Sequence, residues 1–205
     1  MTATLAFPQI YLASRSLRRR ELLAQIGVPY QLLLLREHPG RGADINEDAL
    51  PGESPDAYVR RVCDIKATIA WQRVIERQIV RQPVLCADTT VCIDGEILAK
   101  PADHADAKRM LGLLSGREHR VLSAVALQSG ERRLLAVSDS LVRFRPLSDD
   151  EIARYIASGE PMGKAGAYAI QGRAAQFVAR LEGSYSGVMG LPLFETADLL
   201  RKIQP

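Results

Sequence analysis

Segments with the periodicity of strands and of helices alternate along most of this chain, and this alternation is what most constrains its fold. Apolar runs over 84–93 and 119–128 are typical of strands. Ser54-Pro55-Asp56 is an N-cap, a first-turn proline and a first-turn acid, and it predicts a long helix toward Arg77. Strands separated by helices predict an α/β or α+β layer fold with a mixed β-sheet.

The other elements are predicted from capping and turn residues. Ser16, Asp103 and Ser148 are predicted N-caps, the last of them in a capping box, and Pro192 begins a closing helix. Further strands are predicted over 9–12, 30–35, 96–98, 131–144 and 176–182. The long helix has a predicted apolar stripe of Tyr58, Val62, Ile65 and Ile69. The loop over 36–53 is longer than about 15 residues, a length that usually indicates a functional or disordered loop.

Composition excludes several classes of protein. The chain has 205 residues, 47% of them hydrophobic and 25% charged, which is enough for one core or for two lobes that share a cleft. A net charge of +3 and an aromatic content of 5% argue against nucleic-acid binding. Apolar runs are too short for a membrane span, and the opening residues do not resemble a secretion signal. The three cysteines form no CxxC pair, so we expect a cytoplasmic protein without disulfides or zinc.

A candidate anion site lies at the first predicted strand-to-helix junction, in the sequence Ser14-Arg15-Ser16-Leu17-Arg18-Arg19. A helix N-terminus has unpaired N–H groups and a partial positive charge, and hydroxyl and guanidinium groups there would complete a phosphate site. The alternative is simple helix capping beside solvated arginines.

Two carboxylates form a second candidate. Asp88 lies inside an apolar strand, where an acid needs a partner, a proton or a metal, and Glu47 lies in the long loop. Oxygen ligands of this kind suit Mg²⁺ or Mn²⁺ shared with substrate phosphates. The alternative is a turn aspartate that is satisfied by a neighbouring threonine.

Lysines are scarce in this chain, so their positions are informative. The five lysines are Lys66, Lys100, Lys108, Lys164 and Lys202, and three of them, Lys66, Lys100 and Lys164, fall beside candidate site segments. The alternative for each of these is an ordinary solvated surface lysine.

Six motifs in order resemble the Maf-like nucleoside triphosphate pyrophosphatases, from about residue 9 to residue 200. They are YLASRSLRR (11–19), SPDAYVRRVCDIKA (54–67), LCADTTV (85–91), GEILAKP (95–101), KAGAYAIQG (164–172) and GSYSGVMGLPL (183–193). The resemblance implies a single domain over 1–205 with an α/β (α+β), Maf/ITPase-like fold: an elongated mixed β-sheet flanked by helices, in two lobes with a central cleft. It also implies hydrolysis of a nucleoside triphosphate to the monophosphate and pyrophosphate, a divalent metal cofactor (Mg or Mn), a cytoplasmic location and a homodimer.

The resemblance also implies roles for individual residues. Asp88 matches the family's catalytic proton acceptor, and Glu47 matches a loop glutamate by its distance to Tyr58, so both are expected at the catalytic and metal site. The expected triphosphate contacts are Ser14, Arg18, Arg19, Lys66 and Lys100.

The segment over 165–172 is similar to the branch that acts on dTTP and UTP, in which the residues matching Arg18, Thr89 and Gln171 are associated with substrate choice. Two positions depart from the family pattern, since Arg15 replaces a usual glycine and Leu17 a usual proline.

A non-enzymatic or dual role as a regulator of septum formation and cell division, acting through protein contacts, is the alternative function that the resemblance leaves open.

Overall fold

A seven-stranded mixed sheet organises the molecule in the computed structural model, which describes residues 7–35 and 45–203. Residues 36–44 of the predicted loop over 36–53 therefore lie outside the described residues. The strands are β1 (Ile10–Leu12), β2 (Tyr30–Leu32), β3 (Val84–Ile93), β4 (Glu96–Leu98), β5 (Glu118–Ser129), β6 (Arg132–Phe144) and β7 (Val178–Glu182). Their order is β2-β1-β3-β5-β6-β7, and β4 pairs with β3. Strand β1 is parallel to β2 and β3, and the remaining pairs are antiparallel.

Helices cover both faces of this sheet. They are α1 (Leu17–Gln25), α2 (Pro55–Glu76), α3 (His104–Leu114), α4 (Asp149–Ala157), α5 (Tyr185–Met189) and α6 (Leu193–Ile203). Two short 3-10 turns lie at Ala165–Ala167 and Arg173–Phe177. None of the helices in the described ranges is both long and apolar enough to cross a bilayer.

The predicted α/β class, the mixed sheet and the four helix caps are confirmed. The side chains of Ser16, Ser54, Asp103 and Ser148 each accept a hydrogen bond from a backbone N–H in the first turn of their helix. Three details of the prediction were wrong. The strand over 30–35 ends at Leu32, the strand over 176–182 starts at Val178 because a 3-10 turn precedes it, and α5 was not predicted.

The buried face of α2 differs from the predicted stripe. Tyr58 and Val62 are buried, but Ile65 and Ile69 are only partly so. The other buried residues of the helix combine small side chains with larger ones. They are Val59, Cys63, Ala67, Ala70, Trp71 and Val74. Small residues at an interface let the backbones approach closely, so α2 lies close against β3 and β5.

Strand β3 connects two regions of the core, and this gives the molecule its two lobes. On one face, Leu85 and Ala87 pack with α1 and α6, whereas Val91 and Ile93 pack with α3 and α4. The other face packs against α2. Between the two regions β3 carries Asp88 and Thr89, so polar side chains replace apolar ones at the place where the lobes meet.

A buried histidine–tyrosine pair lies in the core of the second lobe. His119 is 2% exposed, its Nε2 lies 2.9 Å from the hydroxyl of Tyr168, and its ring meets Phe144 edge to face. Its Nδ1 has no hydrogen-bond partner among the residues that the structure describes. Burial lowers the pKa of His119 to about 4.

This pair predicts a loss of stability in mild acid. The unfolded chain takes up the His119 proton below a pH of about 6.5 and the folded chain only below about 4, so the free energy of unfolding falls as the pH drops through this window. We expect urea unfolding at pH 5 to show a loss of about 2 kcal/mol relative to pH 7 from this group. A His119→Gln variant, which keeps a hydrogen-bonding partner for Tyr168, should lose that part of the pH dependence; equal slopes in both proteins would contradict the assignment.

Candidate active site

A cleft of about 630 Å³ opens where the two lobes meet, a volume typical of small-molecule sites. It brings together eight of the nine residues predicted for the site. These are Ser14, Arg18, Arg19, Glu47, Lys66, Asp88, Thr89 and Lys100. They come from five separate stretches of sequence, so the fold assembles what the motifs only suggest.

The centre of the site is a lysine between two carboxylates. Lys66, on α2, places its Nζ 2.7 Å from Oδ1 of Asp88 and 2.8 Å from Oε1 of Glu47. The Asp88 side chain is 10% exposed and that of Lys66 is 14% exposed, so their attraction is only weakly screened by water. The acid inside the apolar strand therefore has its partner.

The pKa values of this group follow from the same contacts. Burial opposes the charge on Lys66, but Asp88 and Glu47 outweigh it and raise the pKa of the ammonium. Burial likewise opposes ionisation of Glu47, but Lys66, with help from Lys100 and Arg19, lowers the pKa of that carboxyl. Both groups are consequently charged at neutral pH.

The loop that carries Glu47 is fixed to α2. The hydroxyl of Tyr58 donates to the carbonyl oxygen of Glu47 at 2.9 Å. Arg61 donates to the carbonyl oxygen of Asp48 and binds both carboxylate oxygens of Glu53. The described end of the long loop is therefore a wall of the cleft.

Two arginines of α1 are anchored far along the chain. Arg18 Nε donates to the carbonyl oxygen of Met189 at 3.2 Å, and Arg19 Nε donates to that of Gly190 at 2.7 Å. Gly190 has a φ of 120°, a conformation that favours glycine, and it ends α5 so that these carbonyls face α1. Each guanidinium is oriented through its Nε, which leaves its terminal nitrogens for other partners.

The junction before α1 has the arrangement expected of an anion site. Ser14 Oγ accepts from the backbone N–H of Ser16 and from Nη1 of Arg19 at 3.3 Å, and Ser16 caps the helix. The first turn contains no acidic residue. Leu17, the leucine that replaces proline at the first helical position, lines the cleft and is 65% exposed.

The cleft has an excess of positive charge. Of the described residues that line it, six are basic and three are acidic. Arg18, Arg19, Lys100 and Lys164 form no ion pair within the described ranges. Burial, and then its neighbour Arg19, lowers the pKa of Arg18, as expected for cations placed together without a counter-ion. Such a site favours a ligand with several negative charges.

Thr89 connects the floor of the cleft to α5. Its Oγ1 lies 2.9 Å from Oγ of Ser123 on β5, and Ser123 donates to the carbonyl oxygen of Gly187 at 2.6 Å. Thr89 projects from the sheet face opposite Asp88, because neighbouring strand residues alternate between faces.

Gln171 is the predicted site residue that the structure does not bring into the cleft. It is exposed on a turn beyond Tyr168 and is absent from the described cleft lining. Its role in substrate choice stays a prediction. Sequence reasoning also missed two cleft residues, since Lys164 was noted without a role and Tyr168 was not singled out. A single tyrosine among the glycine and alanine residues over 163–169 is the sequence signal that could have identified it.

The carboxylates fit a divalent ion that is shared with a substrate. Magnesium is usually held by one or two protein carboxylates, with phosphate oxygens and water completing its shell. Asp88 and Glu47 each use one oxygen on Lys66, and a second carboxylate oxygen of each remains as a ligand. Within the described ranges no group of three or more His, Cys, Asp and Glu residues could hold an ion, so substrate oxygens would have to complete this site.

A lysine–carboxylate centre in a basic cleft on a mixed sheet defines a protein that binds a small polyanionic ligand. A family model described as Maf-like protein matches residues 9–203. The chain therefore belongs to the Maf-like protein family, which confirms the resemblance found in its motifs.

Relatives and a solved structure extend this comparison. The dTTP/UTP pyrophosphatase of Cupriavidus metallidurans is 59% identical over 94% of this chain and 96% of that relative. The dTTP/UTP pyrophosphatase of Ralstonia nicotianae is 59% identical over 94% of this chain and 93% of that relative. The structure of the Staphylococcus aureus Ham1 protein aligns with 12% identity and a TM-score of 0.47, covering 93% of this chain and 99% of that one.

Proposed function

We propose that this protein hydrolyses the nucleoside triphosphates dTTP and UTP to the monophosphate and pyrophosphate. The observation that carries the proposal is the basic cleft with the Asp88–Lys66–Glu47 centre at its floor. Relatives named for this activity are 59% identical over 94% of the chain, which supports it independently. A regulator of septum formation that acts only through protein contacts would have no need for such a set of charges.

In the proposed reaction Asp88 accepts a proton from a water molecule as the water oxygen attacks the α-phosphorus. A bond forms between this oxygen and the α-phosphorus, and the bond from the α-phosphorus to the oxygen that bridges to the β-phosphorus breaks. Pyrophosphate leaves with the bonding electrons. The reaction depends on positioning and on charge stabilisation rather than on a covalent intermediate.

The basic residues of the cleft stabilise the charge that develops on the phosphates. Arg18 and Arg19, oriented by α5, and Lys100 would contact the β- and γ-phosphates. Ser14 would bind a phosphate oxygen at the N-terminus of α1. Lys66 orients the Asp88 carboxylate through their ion pair in the resting protein.

A divalent cation, Mg²⁺ or Mn²⁺, would be held by Asp88 and Glu47 and would neutralise phosphate charge when bound. Thr89 would contact the nucleotide from the opposite face of β3. The cytoplasmic location, the single domain and the homodimer stay predictions.

The test is an assay of a panel of nucleoside triphosphates with Mg²⁺ or Mn²⁺ in water labelled with oxygen-18. We expect dTTP and UTP to be the best substrates, pyrophosphate to be the product, and the label to appear in the monophosphate. Orthophosphate as the only phosphate product, or label in pyrophosphate, would exclude attack at the α-phosphorus. A chain that hydrolyses none of the nucleotides would overturn the proposal.

A further inference from the structure

The first half of the segment over 163–174 forms one wall of the cleft, and the second half contains the turn that carries Gln171. Lys164, Ala165 and Tyr168 line the cleft, and Gln171 follows on the exposed turn. Most of this segment has neither helix nor strand hydrogen bonding, apart from two short 3-10 turns. Its first half is held by the hydrogen bond from the N–H of Gly166 to the carbonyl oxygen of Ala99 and by the contact of Tyr168 with His119. The turn that carries Gln171 is bound by side chains from outside the segment.

Two side chains bind its backbone on both sides of Gln171. The carboxylate of Glu160 accepts from the N–H groups of Arg173 at 3.0 Å and Ala174 at 3.4 Å. The same carboxylate accepts from the hydroxyl of Tyr155 at 2.8 Å, and that hydroxyl in turn accepts from the N–H of Ala169 at 3.3 Å. One connected pair of side chains thus holds the turn at both ends.

The carboxylate of Glu160 lies close to the Cα atom of Gly172, where a larger residue would displace it. A Cβ atom on Gly172 would lie 2.4 Å from Oε1 of Glu160 and 2.6 Å from its Oε2. The φ of Gly172 is −100°, which other residues adopt, so the contact with Glu160 and not the backbone is what favours glycine here.

Glu160 also contacts the cleft through its backbone. Its carbonyl oxygen accepts a hydrogen bond from Nζ of Lys164, which lines the cleft. Burial opposes the charge of the Glu160 carboxylate, but its hydrogen bonds from Arg173 and Tyr155 outweigh this and lower its pKa. The carboxylate is therefore ionised at neutral pH and accepts these bonds as an anion.

We propose that Glu160 and Tyr155 are positioning residues for selection of the nucleotide base, because they hold both ends of the turn that carries Gln171. This inference rests on the proposed function. Neither side chain is among the described residues that line the cleft, so the effect is indirect, through the backbone of the segment.

The first test is the Glu160→Gln variant, which keeps the size of the side chain but places an amide group against a backbone N–H or the Tyr155 hydroxyl. We expect the ratio of kcat/KM for UTP to that for ATP to fall roughly 10- to 100-fold, the cost of a misplaced contact group. The KM for UTP should rise, while kcat at saturating UTP keeps most of its value because the Asp88–Lys66 centre is not altered. Tyr155→Phe should act in the same direction.

Glu151→Gln is the matched control. Glu151 lies on the same helix as Tyr155 and also accepts from a backbone N–H, that of Ser148, and from Arg145. Among the described residues, Glu151 forms no hydrogen bond with the segment over 163–174. The base preference of the Glu151→Gln variant should therefore equal that of the wild type. Hydrogen exchange gives a readout that does not depend on activity: the amides of Ala169, Arg173 and Ala174 should exchange faster in Glu160→Gln and not in the control.

A double-mutant cycle tests the connection itself. Gly172→Ala should lower base preference in the wild-type background, because the new methyl group displaces the Glu160 carboxylate. In a Glu160→Ala background the same substitution should add little, since the atoms it would meet are gone. Additive effects would overturn the mechanism.

Failure of the base-selection inference can be distinguished from failure of the proposed function. If the wild type prefers UTP but Glu160→Gln and Tyr155→Phe both keep that preference, this inference is wrong and the proposed function stands. If the wild type hydrolyses no nucleoside triphosphate, the proposed function fails and base selection by these residues fails with it.

Discussion

Replacement of Asp88 by asparagine is expected to lower kcat for the best substrate by roughly 10²- to 10⁴-fold, the usual contribution of a positioned general base. The amide has nearly the shape of the carboxylate but does not accept the proton of water, and it weakens the bond to Lys66. Steady-state kinetics with UTP, with the melting temperature measured beside it, is the measurement. The KM should change far less than kcat.

Asp139→Asn provides the control for this prediction. Asp139 is also an aspartate within a strand and is paired with a basic residue, Arg120, but both side chains are nearly half exposed and lie outside the cleft. Its substitution should leave kcat unchanged. Near wild-type turnover by Asp88→Asn would reduce Asp88 to a structural partner of Lys66.

Replacement of Lys66 by methionine is expected to abolish most activity and to lower the free energy of unfolding by roughly 3 kcal/mol, the lower end of the range for a broken buried ion pair. The lower end applies because the Glu47 side chain is 38% exposed. Without the ammonium, two carboxylates face each other with no charge between them. Urea unfolding at pH 7 measures the loss.

The pH dependence of this loss has a definite sign. In the wild type the lowered pKa of Glu47 gives stability that is present above its unfolded pKa and is lost as the pH falls through its folded pKa. In Lys66→Met the carboxylates of Asp88 and Glu47 repel each other. Protonation of one of them at lower pH removes this repulsion and stabilises the variant. The difference in stability between the two proteins should therefore shrink as the pH falls from 7 to 4.

Lys202→Met is the control for this pair of measurements. Lys202 forms an exposed pair with Asp198 one helical turn away, a contact worth at most about 1 kcal/mol. If Lys66→Met cost no more stability than Lys202→Met, the ion-pair centre would have no structural role.

The elements that sequence predicted well are those determined by local chemistry. Ser54-Pro55 and the Ser148 capping box began their helices as predicted, because an N-cap hydrogen bond involves residues only three apart. Strand β3 matched its predicted limits because its apolar run is bounded by Pro83 and the Asp94-Gly95 turn. Asp88 was identified by its conflict with those apolar neighbours.

The features that sequence did not predict depend on contacts between distant residues. The predicted stripe of α2 included Ile65 and Ile69, but packing on the sheet buries a neighbouring face of the helix with Cys63, Ala67 and Trp71. Helix α5 is only five residues long and is too short for periodicity to show. The pairing of Lys66 with both Asp88 and Glu47 follows from the fold and from no local pattern.

The anchoring of Arg18 and Arg19 on the end of α5 has a consequence for how the protein is made. Each of these hydrogen bonds joins residues 171 positions apart. Contacts of such long range form late, since they need most of the intervening chain in place. The carbonyl groups that orient Arg18 and Arg19 are synthesised long after the arginines themselves, so this end of the cleft cannot be completed until Met189 and Gly190 have been made.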